Sequence, residues 1–124
     1  MIIGLGLDMC SIARIQALLQ DDRFLTRFFS QEEQDYIHSR GVMAAASAAA
    51  GYAAKEAFAK ALGTGFDGID LKDIMVVHDD RGAPGFKLEG LAYSRALEKG
   101  MRRAHLSLSH EKDMAAAVAL LEGD

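Results

Sequence analysis

Apolar and polar positions along this chain switch repeatedly between the period of a strand and the period of a helix. Residues 2–7 form a short apolar run holding two glycines, the length and character of a buried strand. Ser11 follows as a helix N-cap, and Ile12, Ile15, Leu18 and Leu19 recur at helical spacing. Asp21 and Asp22 interrupt that pattern, and Phe24, Leu25, Phe28 and Phe29 make a second short helical patch. Ser30 with Glu33 three residues on is a capping-box signature, which predicts a helix running to about His38.

Residues 42–62 are rich in alanine, an excellent helix former, and predict the longest helix, with Gly63 as its C-terminal cap. Gly63, Thr64, Gly65, Asp67 and Gly68 then read as a loop. Residues 74–78 predict a strand, residues 79–82 a turn, and residues 86–88 the returning strand. Residues 89–99 predict a helix ended by Gly100. Residues 104–109 and 115–121, joined by residues 110–113, predict an antiparallel hairpin. Helices mixed with short antiparallel strands give an α+β class: a short sheet packed with one long and several short helices.

Composition narrows this further. A length of 124 residues argues for one domain, residues 1–124. The net charge of −4 argues against a general nucleic-acid footprint. Cys10 is the one cysteine, so no internal disulfide forms, which suits a reducing compartment. The first residues lack a basic region and meet Asp8 early, unlike a signal peptide, and no apolar run approaches the roughly 20 residues needed to span a bilayer. The expectation is a soluble, cytoplasmic protein.

Two acidic residues stand in unusual places. Asp8 closes an apolar strand, and Glu56 sits deep in an alanine-rich helix. Charges on otherwise apolar elements need a partner or a cation. Two carboxylates suit a hard cation such as Mg²⁺, with phosphate oxygens and water completing the octahedron. Lys60 follows Glu56 by four residues and shares its helix face, which suits charge neutralisation on the same phosphate. The residues alone leave a second reading open: a solvated Glu56–Lys60 ion pair worth about 0.3–0.5 kcal/mol, with Asp8 in a turn or at an N-cap.

Three motifs in order make the chain recognisable. Residues 4–8 followed by Ile12, Ala13, Arg14 and Ile15, the stretch Tyr52, Ala53, Ala54, Lys55, Glu56, Ala57, Phe58, Ala59, Lys60 through Gly65, and residues 105–110 together resemble the holo-acyl-carrier-protein synthase family. The resemblance spans essentially the whole chain. It implies the 4′-phosphopantetheinyl transferase fold, assembled as a homotrimer with active sites between subunits. It implies transfer of 4′-phosphopantetheine from coenzyme A to a serine of apo-acyl carrier protein, dependent on Mg²⁺, with release of adenosine 3′,5′-bisphosphate. By the same resemblance Asp8 and Glu56 are metal ligands, and Lys60 contacts the coenzyme A phosphates. Lys55 assists that contact or holds the helix. Gly63, Thr64 and Gly65 form the loop against which coenzyme A lies, with Pro84 near the adenine and Ser109 and His110 toward the nucleotide end. Many relatives carry an arginine where this chain has Gly51.

Arg14 and Leu18 share one helix face, as do Arg23 and Arg27, with Phe24 beside them. Acyl carrier proteins are acidic helical bundles, and arginines around an apolar anchor suit transient docking of such a partner. By resemblance this region binds the carrier. The alternative for Leu18 and Phe24 is a place in the core. His38, His78 and Cys10 match no metal or nucleophile pattern. A non-catalytic module binding carrier protein or nucleotide is the alternative function.

Overall fold

The computed structural model describes residues 1–124. In chain order the elements are β1 (Ile2–Ser11), α1 (Ile12–Leu18), α2 (Arg23–Phe28), α3 (Gln31–Ser39), α4 (Ala44–Leu62), β2 (Ile74–His78), β3 (Pro84–Leu88), α5 (Gly90–Lys99), β4 (Arg103–His110) and β5 (Met114–Glu122). Single 3₁₀ turns precede α4, at Gly41–Met43, and β2, at Leu71–Asp73. The α+β expectation holds. One boundary at the site differs from the sequence pattern. The first strand continues past Leu7 to Ser11, because β5 offers it partners down to Met114. Asp8 therefore lies within the strand, not at its end.

The main sheet is antiparallel in the order β1-β5-β4, and β2 and β3 form a separate hairpin. Helix α4 lies across the inner face of the main sheet. The sequence permits an unusually close approach there. Gly4 and Gly6 are two residues apart on β1 and so face the same way, and on β5 the inward row is Ala115, Ala117, Ala119 and Leu121, all fully buried or nearly so. A Cβ at Gly4 would stand 2.2 Å from the Ala61 carbonyl oxygen, and one at Gly6 would stand 1.9 Å from that of Ala57. Backbone meets backbone, and no larger residue fits. The other sheet face is open: Leu5, Leu7, Met9 and Val118 are exposed.

A buried ion pair ties the helices to the hairpin. The capping box forms as the pattern predicts, with Ser30 Oγ accepting from the Glu33 amide and Glu33 Oε1 accepting from the Ser30 amide at 2.9 Å. Glu33 does more than cap. Its Oε1 also accepts from Lys55 Nζ at 2.8 Å, and its Oε2 accepts from the Val76 amide at 3.0 Å. Lys55 is wholly buried and donates its other protons to the carbonyls of Leu71 and Ile74, at 2.9 and 2.7 Å. Burial pushes the Lys55 ammonium below its ordinary pKa, and the Glu33 charge opposes that shift. No buried side-chain nitrogen or oxygen is left without a partner.

The glycine contacts generate a test. Gly6→Ala forces α4 off the sheet, and we expect the variant to lose at least about 3 kcal/mol of stability in urea unfolding, the upper end of overpacking costs. A loss under about 1 kcal/mol would show that α4 does not rest on β1 as described.

Candidate functional site

The close packing of α4 on β1 determines which side chains meet. Asp8 continues the row of Gly4 and Gly6 toward α4, and its side chain is only 15% exposed. The helix presents Glu56 and Lys60 one turn apart at the same edge. Lys60 Nζ donates to Asp8 Oδ1 at 2.9 Å and to the Leu7 carbonyl at 3.0 Å. That contact raises the Lys60 pKa above its ordinary value, so the ammonium stays charged.

Glu56 is the strained member of the group. Its pKa is raised first by burial and next by the Asp8 carboxylate, against smaller opposing effects of Lys60 and Arg14. Two carboxylates thus crowd one edge of the helix, with Lys60 bound to Asp8. Their donor set is all oxygen and too small to enclose an ion, and no cluster of three acidic, histidine or cysteine ligands exists anywhere in the chain. Such a set fits a cation that prefers to keep water and substrate oxygens, as Mg²⁺ does, and does not fit an enclosed zinc or calcium site.

The remaining sequence-derived candidates divide into those near this cluster and those away from it. Thr64 lies one turn beyond Lys60, in a loop where Gly63 and Gly65 take left-handed φ of 83° and 62°. Lys55 takes the second of its two expected roles, holding the helix, and its place among the coenzyme A contacts is corrected. Although adjacent in sequence to Glu56, it points into the core, and its ammonium is fully occupied by Glu33 and two carbonyls, with no proton free for a phosphate. Pro84 begins β3 opposite His78 and is not part of the preceding turn. Ser109 and His110 are exposed on β4, the strand farthest from β1. Ser109 pairs with Ala116, which pairs with Met9, so Ser109 shares the outer row while Asp8 points inward. Ser109 therefore faces away from the carboxylates, whereas His110, paired with Ala115 opposite Cys10, falls in the inward row at the end of the sheet. Gly51 is buried, and a side chain there would start 3.2 Å from the Phe29 ring.

The arginine-bearing surface also divides. Leu18 is 43% exposed, whereas Phe24 is buried, a second correction. Phe24 packs in a cluster with Phe28, Phe29 and Tyr52 at centroid distances of 5.5–5.7 Å, so it supports the surface from beneath. Arg27 lies over the Phe28 ring, Arg23 pairs with Asp21 at 2.9 Å, and an open groove of about 350 Å³ runs between these residues and Leu18. Arg14 turns toward β1, its guanidinium 3.6 Å from Cys10 Sγ. Both Arg14 and Glu56 perturb the half-buried Tyr52 hydroxyl, whose pKa is raised mainly by burial. The aromatic cluster therefore links the arginine surface to the carboxylate cluster. The sequence pattern did not single out Gly4, Gly6 or Glu33 as organisers of the site. The two-residue spacing of Gly4, Gly6 and Asp8 carried that signal for the first two.

Comparison with known proteins adds the following. The family model described as 4′-phosphopantetheinyl transferase superfamily matches residues 4–119. The holo-[acyl-carrier-protein] synthase of Treponema denticola is 50% identical over 123 residues, covering 99% of this chain and all of that protein. The crystal structure of holo-[acyl-carrier-protein] synthase from Neisseria meningitidis superimposes with a TM-score of 0.87 at 37% identity, covering 98% of this chain and 99% of that one. The Bacillus anthracis holo-(acyl-carrier-protein) synthase, solved in complex with coenzyme A (3′,5′-ADP), superimposes with a TM-score of 0.83 at 33% identity, covering 100% and 99%.

The strain on Glu56 has a measurable consequence. A carboxyl whose pKa is raised by folding costs stability while ionised. The cost is full above the folded-state pKa and vanishes once pH falls below the unfolded-state value. Glu56→Gln should therefore raise the melting temperature of the metal-free protein at about pH 7.5, and the gain should disappear near pH 4. Equal melting temperatures at the higher pH would contradict the crowding of Asp8 and Glu56.

Proposed function

The chain belongs to the 4′-phosphopantetheinyl transferase superfamily, among the holo-[acyl-carrier-protein] synthases, and from that premise we propose that it transfers 4′-phosphopantetheine from coenzyme A to a serine of apo-acyl carrier protein through Asp8, Glu56 and Lys60. The observation that carries this reading is the meeting of Asp8 with Lys60 at 2.9 Å on the helix edge that also presents Glu56. A cluster of two acids and one lysine is matched to a donor whose reacting group is a pyrophosphate.

In this reading Asp8 and Glu56 hold Mg²⁺, which when bound neutralises charge on the phosphate oxygens. Lys60, half exposed, turns its ammonium from Asp8 toward the phosphate that departs with the adenosine. The serine oxygen bonds to the phosphorus bearing the pantetheine arm. The bond from that phosphorus to the bridging oxygen breaks, adenosine 3′,5′-bisphosphate leaves, and the serine proton passes to a carboxylate of the pair or to water. The Gly63–Thr64–Gly65 loop receives the coenzyme A, since nothing stands within 4 Å of the space a Gly65 side chain would take. Arg14, Leu18, Arg23 and Arg27 form the docking surface for the acidic carrier, with Phe24 beneath.

The same reading includes a homotrimer. Leu5, Leu7 and Met9 on the outer face of β1 are each more than half exposed, and such an apolar row favours burial against a second copy. A neighbouring copy is also what would bring Ser109, His110 and Pro84 to the nucleotide, because within one chain Ser109 faces away from Asp8. No helix is long and apolar enough to cross a membrane, and the enzyme is assigned to the cytoplasm.

Mass spectrometry tests the assignment. Apo-acyl carrier protein incubated with the protein, coenzyme A and Mg²⁺ should gain one phosphopantetheine group, and a chelator should stop the gain. Asp8→Ala and Glu56→Ala should each slow transfer by about 10³-fold or more while keeping the fold. Transfer at near-parental rate in either variant would remove the metal assignment, and no gain with several carriers would remove the activity.

A further inference from the structure

Three of the chain's left-handed glycines, Gly63, Gly65 and Gly68 with φ of 83°, 62° and 74°, fall within six residues of one loop. Glycine has the most conformational freedom to lose, so a loop built this way needs something external to hold its shape. Its own contacts are sparse. The Gly63 amide donates to the Lys60 carbonyl, the Ile69 amide donates to the Phe66 carbonyl at 2.7 Å, and Thr64 Oγ1 reaches the adjacent Gly65 carbonyl at 3.4 Å.

Helix α5 supplies the external support. Leu91, Arg95 and Lys99 are spaced by four and form one stripe along it. The stripe follows the loop from end to end. Leu91 Cδ2 lies 3.4 Å and Arg95 Nη2 3.6 Å from where a Gly68 Cβ would be, and Lys99 Nζ lies 3.9 Å from the corresponding point at Gly63. Arg95 Nη1 donates to the Asp67 carbonyl, the only side-chain hydrogen bond reaching this loop from elsewhere in the chain. Arg95, Glu98 and Lys99 with Leu62 and Thr64 enclose an open depression of about 280 Å³ beside it.

We propose that Arg95 is a positioning residue for donor binding: its guanidinium fixes the 63–68 loop before coenzyme A arrives, so that the loop is not ordered at the expense of affinity. The inference rests on the coenzyme A reading of that loop given above. Arg95 itself touches no reacting atom. It acts through the Asp67 carbonyl, and a charge-assisted hydrogen bond to that carbonyl is among the stronger ways to pin a backbone. Preorganisation of this kind improves binding by removing an ordering cost, without adding a contact.

The test uses Arg95→Leu, which removes the donor, and Arg95→Lys, which keeps one charged donor. Amide hydrogen exchange across residues 63–69 should quicken by about tenfold in Arg95→Leu, with Arg95→Lys between it and the parent. The Michaelis constant for coenzyme A should rise about tenfold in Arg95→Leu, while that for carrier protein and the kcat at saturation stay within about twofold. If Arg95→Leu fails to fold, the same readouts on Arg95→Lys decide. Unchanged exchange in the loop, or equal rises in both Michaelis constants with a lowered melting temperature, would overturn the proposal. Calorimetry separates the two levels of argument. No coenzyme A binding by the parent would overturn the transferase reading itself, whereas parental binding that Arg95→Leu leaves within about twofold would overturn this inference alone.

Discussion

The structure depends on a contact between two backbones. Gly4 and Gly6 let α4 lie against β1 at a distance that excludes even a methyl group. Everything at the candidate site follows from that approach. Asp8 is the next residue in the same inward row, so the strand delivers a carboxylate directly onto the helix. Lys60, from the helix, reaches both the Asp8 carboxylate and the Leu7 carbonyl. The alanines of α4 and β5 serve the same end, since small residues on both surfaces keep the layers close along their length.

The same helix shows how periodicity divides labour between neighbours in sequence. Lys55 and Glu56 are consecutive yet point about 100° apart. Lys55 enters the core, where Glu33, Leu71 and Ile74 satisfy it and the hairpin is tied to α3. Glu56 stays at the helix edge, where burial and Asp8 make its charge costly. One ion pair is complete within the chain. The other group carries excess negative charge that a divalent cation would balance. That imbalance supports the proposed site, since perturbed charged groups cluster where function is carried out.

Much of this was legible from local pattern. The Ser30–Glu33 capping box, the alanine-rich long helix with its Gly63 cap, and the C-terminal hairpin are decided by residues near each other in sequence, and they form where the pattern puts them. What was not legible depends on tertiary partners. The extension of β1 to Ser11 requires β5, more than a hundred residues away. The burial of Lys55 requires a carboxylate from α3, one carbonyl from the turn before β2 and one from the first residue of β2. Phe24 reads equally well as anchor or core until Tyr52 and Phe28 close over it. At the site, Asp8, Glu56 and Lys60 were readable because the family motifs carry them. The facing of Ser109 away from that cluster was not, because it depends on the register across β5, the strand between β4 and β1.

The central claim is that Asp8 and Glu56 share one divalent ion. Crystals grown with Mn²⁺ and coenzyme A test it most directly, since Mn²⁺ occupies Mg²⁺-type sites and is located by anomalous scattering. The account predicts one strong peak at about 2.0–2.3 Å from a carboxylate oxygen of both residues, with a pyrophosphate oxygen in the same shell. A peak held by other residues, or by only one of the two, would contradict it.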